Sequence, residues 1–176
     1  MTRSVLLLRA VNVSGRNRVP MARLRDVLAD ETDLTGVSTY IASGNIICDA
    51  PQDAAASCAL VQKVIAAEFD VDTPVIARTH AELVASLDAQ PFVDGIDKYV
   101  HAMFLAGAPA TGAVEKLTER LIPGERLALI GHDLWIDYAS GVQGTRLTKA
   151  VFDRALGVAG TARNLRTVRK LVELTR

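Results

Sequence analysis

Residues 36–49, GVSTYIASGNIICD, contain two short apolar runs on either side of Ser43 and Gly44. Each run is rich in β-branched residues and too short for a helix, so each predicts a strand. Ser-Gly is typical of a tight turn, and the two strands are therefore predicted to form a hairpin. Two consecutive strands interrupt the alternation of strands and helices on either side of them, and this interruption decides the fold.

The sequence around the hairpin supplies the other elements of one unit. Residues 5–11, VLLLRAV, predict a buried strand, and Pro20 suits the first turn of a helix with an apolar stripe over residues 21–28. After the hairpin, residues 53–69 predict a second helix and residues 73–78 another strand. The element order is β-α-β-β-α-β.

The same order returns in the second part of the chain, beyond the helix breakers Pro91 and Gly95. No residue-level identity links the two parts, so the repeat is one of element order. We predict an α/β fold of the α+β type: two tandem ferredoxin-like βαββαβ units with mostly antiparallel sheets and a C-terminal helix. The expected division is a first half over 1–78, a connecting helix and linker over 79–97, and a second half over 98–176.

Composition narrows the class of protein. Of 176 residues, 49% are hydrophobic, which suffices for a core. The apolar runs are far shorter than the roughly 18 residues that a membrane span needs, and the N-terminus has no signal-peptide pattern. Cys48 and Cys58 match no metal spacing. We therefore expect a cytoplasmic protein with reduced thiols, no membrane partner, no metal and no cofactor.

Charge is distributed unevenly along a chain of zero formal net charge. Residues 1–25 hold six arginines and no acid, and residues 145–176 hold eight basic and two acidic residues. Residues 26–97 hold two basic and thirteen acidic residues. Such asymmetry can mark an anion-binding face, and it also fits a folded surface on which the charges mix.

Residues 7–21, LLRAVNVSGRNRVPM, link the first strand to the first helix. We expect Asn12 and Gly15 to shape this connection, because asparagine side chains tie turns together and glycine allows a positive φ. Arg16 and Arg18 are not needed for that geometry. We therefore expect the positive charge of these two arginines to serve a function other than shaping the turn.

No catalytic constellation is visible. His80, His101 and His132 have no metal-ligand spacing, and Cys48 has no basic neighbour that would lower its pKa. The glycines of residues 140–149 lack the Gly-Lys-Ser/Thr ending of a phosphate-binding loop. Whether the protein is an enzyme is left open by the sequence.

Three stretches resemble the bacterial domain-of-unknown-function 1697 family: LLRAVNVSGRNRVPMARL (7–24), TYIASGN (39–45) and TARNLRTVRKL (161–171). The blocks span nearly the whole chain in the family's order. The resemblance implies two ferredoxin-like halves and assigns no activity. The matching residues are Arg9, Asn12, Val13, Gly15, Met21, Ser43, Gly44, Asn45, Thr161, Arg163, Asn164 and Thr167.

The chain departs from the family pattern at several positions. Ala10 and Ser14 stand where the family usually has glycine, and Arg16 and Arg18 replace lysines. Arginine keeps the charge and adds bidentate hydrogen bonding. Leu165 replaces a tryptophan, which removes an aromatic ring on which a base could stack.

Two functions fit these residues. The first is binding of a phosphate-bearing or other anionic ligand, such as a nucleotide or a nucleic-acid phosphate, at loop–helix junctions. The alternative is a small-molecule enzyme that uses the same arginine and asparagine groups for electrostatic positioning. Zero net charge and few aromatic residues argue against high-affinity nucleic-acid binding. The ligand-binding candidates are Arg9, Asn12, Arg16, Arg18, Asn45, Arg163 and Asn164.

Three expectations concern the placement of these residues. We expect Arg9 and Arg163 to approach each other between the halves, with Asn12 or Asn164 nearby, because both arginines lie toward helix starts that favour anions. We expect the end of the first strand and the Ser43–Gly44 hairpin to lie at opposite ends of the sheet, so that Ser43 and Asn45 serve only the hairpin. Asn164 is also a plausible helix N-cap.

Overall fold

The structure, a computed structural model, describes residues 1–176. The chain divides into two compact units. The first comprises Met1–Leu83 together with Leu171–Arg176, and the second comprises Val84–Lys170. No helix in the structure combines the length and hydropathy that crossing a membrane requires.

The first unit contains one four-stranded sheet and its helices. Its elements are β1 (Thr2–Leu8), α1 (Met21–Glu31), β2 (Thr35–Tyr40), β3 (Asn45–Ala50), α2 (Ala54–Phe69) and β4 (Val75–Thr79). The strand order is β2-β3-β1-β4, and every pair of neighbours is antiparallel. α3 (His80–Ala89) follows β4, and its residues from Val84 onward belong to the second unit. The helix opens with a capping box, in which the backbone N–H groups of Thr79 and Glu82 each donate to the other's side chain.

The second unit repeats this arrangement. Its elements are β5 (Val100–Leu105), α4 (Ala113–Thr118), β6 (Arg126–Ile130), β7 (Asp133–Asp137), α5 (Lys149–Leu156) and β8 (Gly160–Asn164). α6 (Leu165–Leu174) follows β8, and its residues from Leu171 onward belong to the first unit. The strand order is β6-β7-β5-β8, again antiparallel throughout. The predicted fold class is confirmed: two βαββαβ units with antiparallel sheets and a C-terminal helix.

Helices α1 and α2 pack on one face of the first sheet. Residues of α1, α2 and alternate positions of β1 and β3 form a single buried cluster, because successive strand residues point to opposite faces. The central members are Leu6, Leu8, Leu24, Leu28, Ile46, Val61 and Ile65. The predicted stripe of α1 is confirmed, since Leu24, Val27 and Leu28 are buried. The opposite face carries Val5 and Leu7, which are also buried.

The second unit has its own core on the helix-bearing face of its sheet. Leu134, Ile136 and Tyr138 belong to a cluster with Leu117 of α4 and Leu156 of α5. Trp135, the single tryptophan of the chain, alternates with these residues on β7 and is fully buried. Its indole N–H has no hydrogen-bond partner.

The expectation that the end of β1 and the β2–β3 hairpin lie at opposite ends of the sheet is wrong. Leu7 of β1 pairs with Asn45 at the start of β3, and the backbone N–H of Leu8 donates to the carbonyl of Gly44 at 2.9 Å. Because β3 is antiparallel to β1, it begins where β1 ends. The hairpin therefore lies beside the loop that follows β1.

Candidate functional site

The loop between β1 and α1, residues 9–20, is here called the arginine loop. Its tip is a tight turn in which the backbone N–H of Arg16 donates to the carbonyl of Val13 at 2.9 Å. The central residues Ser14 and Gly15 have φ of 49° and 74°, the signs of a type I′ hairpin turn. A second bond, from the N–H of Asn12 to the carbonyl of Asn17 at 3.0 Å, closes a miniature hairpin over residues 12–17.

The side chain of Asn12 fastens this hairpin at its base. Its Oδ1 accepts from the N–H of Val19 at 2.9 Å, and its Nδ2 donates to the carbonyl of Val19 at 2.9 Å. The same Nδ2 donates to the carbonyl of Ala42 at 2.8 Å, in the β2–β3 hairpin. The predicted role of Asn12 and Gly15 in shaping the connection is confirmed.

Arg9 begins the loop and is half-buried. Its backbone is held by Thr73, whose Oγ1 accepts from the N–H of Arg9 at 3.0 Å and donates to its carbonyl at 2.7 Å. Sequence reasoning missed Thr73. Only the fold shows that Thr73 is buried, and a buried hydroxyl requires a hydrogen-bond partner.

Arg16 and Arg18 differ from the next two arginines of the chain. Both are exposed, and neither guanidinium forms a hydrogen bond or an ion pair. Arg23, by contrast, pairs with Glu68 at 2.6 Å, and Arg25 donates to the hydroxyl of Thr39 at 2.7 Å. The tip and exit of the arginine loop therefore carry two positive charges that no side chain of the protein compensates.

Asn45 lies next to the arginine loop but faces inward. It is fully buried, and its Nδ2 donates to the carbonyl of Tyr40 at 2.8 Å and to Ser43 Oγ at 3.2 Å. Gly44 permits the close approach to β1, because a Cβ there would lie 2.7 Å from that of Leu8. These bonds place Ser43 and Asn45 in the hairpin, and the expectation that they serve it alone stays a prediction.

Arg163 and Asn164 belong to the second unit. Asn164 caps α6, its Oδ1 accepting from the N–H of Thr167 at 2.9 Å, as predicted. The guanidinium of Arg163 is buried and donates to Thr161 Oγ1 and to the carbonyl of Ala162, both at 2.8 Å. Burial lowers the pKa of Arg163 to about 10. The expected approach of Arg9 and Arg163 stays a prediction.

The first unit has a counterpart of Arg163 that the sequence reading missed. Arg78 and Arg163 occupy the fourth position of β4 and β8, each after an alanine and before a helix-capping residue. Each donates from Nη1 to the carbonyl of that alanine, at 2.9 Å and 2.8 Å. The two units therefore share an identical Ala-Arg pair at equivalent strand positions, residues 77–78 and 162–163.

The titratable groups are not poised for nucleophilic chemistry. No group of three or more His, Cys, Asp and Glu side chains is placed to hold a metal ion. Burial raises the pKa of the Cys48 thiol to about 11 and also raises that of Cys58. Thiolate formation is therefore disfavoured at both cysteines near neutral pH.

Three cavities, of about 250, 420 and 320 Å³, are lined by residues outside the arginine loop. The one in the first unit, about 320 Å³, is lined by Thr2, Ser4, Ala50 and Thr79 among others. These residues lie at the start of β1 and the ends of β3 and β4, at the far end of the sheet from the arginine loop. The arginine loop is exposed over residues 13–18 and lies at the opposite end of the sheet from this cavity.

Comparison with known proteins gives a family match and a structural likeness. The family model described as "Protein of unknown function (DUF1697)" matches residues 1–135. Among solved structures, the chain is similar to the conserved bacterial protein SP0830 from Streptococcus pneumoniae, with a TM-score of 0.75 and 24% identity over 99% of each chain. At that identity the likeness shows the fold alone. No curated protein matches the chain significantly.

Proposed function

The chain belongs to the DUF1697 family of proteins of unknown function, and on that premise we propose that it binds a phosphate-bearing or other anionic ligand through the arginine loop. The observation that carries the proposal is the pair Arg16 and Arg18. Both are exposed, neither has an acidic partner, and both sit on a backbone fixed by Asn12.

The loop is organised in advance of binding. Five of its residues have positive φ, four of them other than glycine. Such conformations persist where the surrounding bonds over-determine them, and they concentrate at binding sites. Because the backbone is already ordered, an incoming anion meets guanidinium groups whose main chain loses little further freedom. The list of positive-φ residues is Ala10, Asn12, Ser14, Gly15 and Asn17.

The start of α1 favours the same sign of ligand charge. Pro20 precedes the helix without a side-chain capping bond, and the first turn holds no acid. Free N–H groups and the positive end of the helix dipole add to the field of Arg18, which lies three residues before the helix begins. Asn12 and Asn45 act in this proposal through the backbone that they hold.

Isothermal titration calorimetry with inorganic pyrophosphate tests the proposal. Charge-assisted hydrogen bonds contribute about 1.5–3 kcal/mol each, so Arg16→Ala with Arg18→Ala should weaken binding by at least tenfold. The matched control is Arg120→Ala with Arg166→Ala, two exposed arginines of the second unit, which should bind as the wild type does. Equal losses in both double variants would show non-specific attraction and contradict the proposal.

A further inference from the structure

Two exposed aliphatic side chains stand beside the unpaired arginines. Val13 is 55% exposed at the tip of the arginine loop, directly opposite Arg16. Ile41 is 48% exposed in the β2–β3 hairpin and has φ of 50°. A β-branched residue in the left-handed region is a genuine outlier, since the backbone there favours glycine or asparagine. Neither core packing nor turn chemistry explains isoleucine at this position.

The two tips form one surface. Asn12, which precedes Val13, donates to the carbonyl of Ala42, which follows Ile41. The tips therefore stand side by side, each anchored to the same end of the sheet. We call this surface the paired tips; it consists of Val13, Arg16, Arg18 and Ile41.

We propose that the paired tips contact a nucleic-acid strand, with Arg16 and Arg18 on its phosphates and Val13 and Ile41 against its sugars and bases. This deepens the proposed function and rests on it. Small ligands bind mostly in concave sites, whereas residues 13–18 and Ile41 of the paired tips are exposed. An exposed basic surface fits an extended polyanion. Apolar side chains also serve as wedges between bases in proteins that bind the minor groove.

The apolar content of the paired tips argues against a lipid surface. Stable attachment to a bilayer needs an acyl chain or a long amphipathic helix in addition to basic residues, and two aliphatic side chains supply far less. Phosphate contacts by arginine, in contrast, give measurable nucleic-acid affinity without any other contact. With two such contacts and zero net charge, we expect weak binding that depends on salt.

Filter binding of a radiolabelled 16-nucleotide duplex and its single strand, measured across a salt series, tests this inference. The logarithm of affinity falls by about 0.9 per neutralised phosphate for each decade of salt on duplex DNA. Arg16→Ala with Arg18→Ala should therefore reduce the slope by about two, and Arg120→Ala with Arg166→Ala should leave it unchanged. Val13→Ser with Ile41→Asn should weaken binding at every salt concentration without changing the slope. Asparagine tolerates the conformation of residue 41.

The outcomes separate this inference from the proposed function. The nucleic-acid inference is overturned, and anion binding stands, if the Arg16 and Arg18 double variant binds pyrophosphate more weakly but keeps the wild-type salt slope for the oligonucleotides. If neither ligand depends on these arginines, both fail. Arginine-dependent binding to phosphatidylglycerol vesicles, with none to either oligonucleotide, would assign the paired tips to a lipid surface instead. A slope reduced by about two, with weaker binding of the Val13 and Ile41 variant, supports the inference.

Discussion

Asn12 and Ala42, thirty residues apart in the chain, are joined by a hydrogen bond of 2.8 Å from the side-chain Nδ2 to the backbone carbonyl. The bond connects the arginine loop to the β2–β3 hairpin, two segments that the sequence separates by a whole helix and a strand. One amide side chain thereby sets the position of both tips. The geometry of the candidate site consequently depends on a residue whose own polar groups are already occupied.

Asn12→Ala should lower the free energy of unfolding by about 2–4 kcal/mol, because it removes three hydrogen bonds and leaves polar groups of buried Val19 without partners. Asn17→Ala is the matched control, since it also places alanine at positive φ but removes one bond, to the carbonyl of Ala10. It should cost about 1 kcal/mol. Urea denaturation measures both, and equal losses would show that the backbone conformation, not the side-chain bonds, decides the cost.

Arg16→Ala with Arg18→Ala should leave the free energy of unfolding within about 0.5 kcal/mol of wild type, as is usual for exposed residues without partners. Arg163→Ala provides the contrast, because it removes a buried guanidinium that bonds Thr161 and Ala162. We expect it to cost more than about 2 kcal/mol. Thermal melting of both variants checks this. A large loss in the double variant would make these two arginines structural.

Ala10→Gly and Ser14→Gly should each raise the free energy of unfolding by up to about 1 kcal/mol. Both residues have positive φ, near 50°, where a Cβ is unfavourable and glycine is not. Ala29→Gly, at an exposed position of α1, is the control and should lower stability by about 1 kcal/mol. Destabilisation by the two loop substitutions, measured by the same denaturation, would mean that flexibility gained in the unfolded chain outweighs the strain relieved.

His101 should make stability depend on pH. Burial lowers its pKa from the ordinary 6.5, although a hydrogen bond to the carbonyl of Lys98 opposes this. The unfolded chain therefore takes up the proton more readily, so stability is full above about pH 6.5 and is lost as the pH falls through the lowered pKa. His101→Gln should flatten the profile between pH 7 and about pH 5. An unchanged slope in the His101 variant would assign the dependence to other groups.

The element order could be predicted from the sequence because it depends on local signals. The period of apolar residues, Pro20, the Ser43–Gly44 turn and the Thr79–Glu82 box each act within a few residues. The family resemblance identified three matching stretches. It also identified Ala10 and Ser14 as positions where the family usually has glycine. Their positive φ gives the physical reason for that preference.

The parts that sequence reasoning missed depend on pairing between distant segments. The register of β1 against β3 brings Leu7 opposite Asn45 and so places the hairpin beside the arginine loop, contrary to expectation. Thr73 holds Arg9 across 64 positions of sequence, which no local pattern encodes. Likewise, Arg163 is an ordinary basic residue in the sequence, and only the fold shows that its guanidinium is buried.

The fluorescence of Trp135 reports on only one of the two units. It is the only tryptophan, it is fully shielded from water, and it belongs to the second unit alone. Its emission maximum should therefore lie at short wavelength in the native protein and shift to longer wavelength when that unit opens. Far-UV circular dichroism, by contrast, registers the helices of both units. Superimposable unfolding curves from the two signals would show one cooperative transition, and a gap between them would measure how far the first unit, with its arginine loop, unfolds independently.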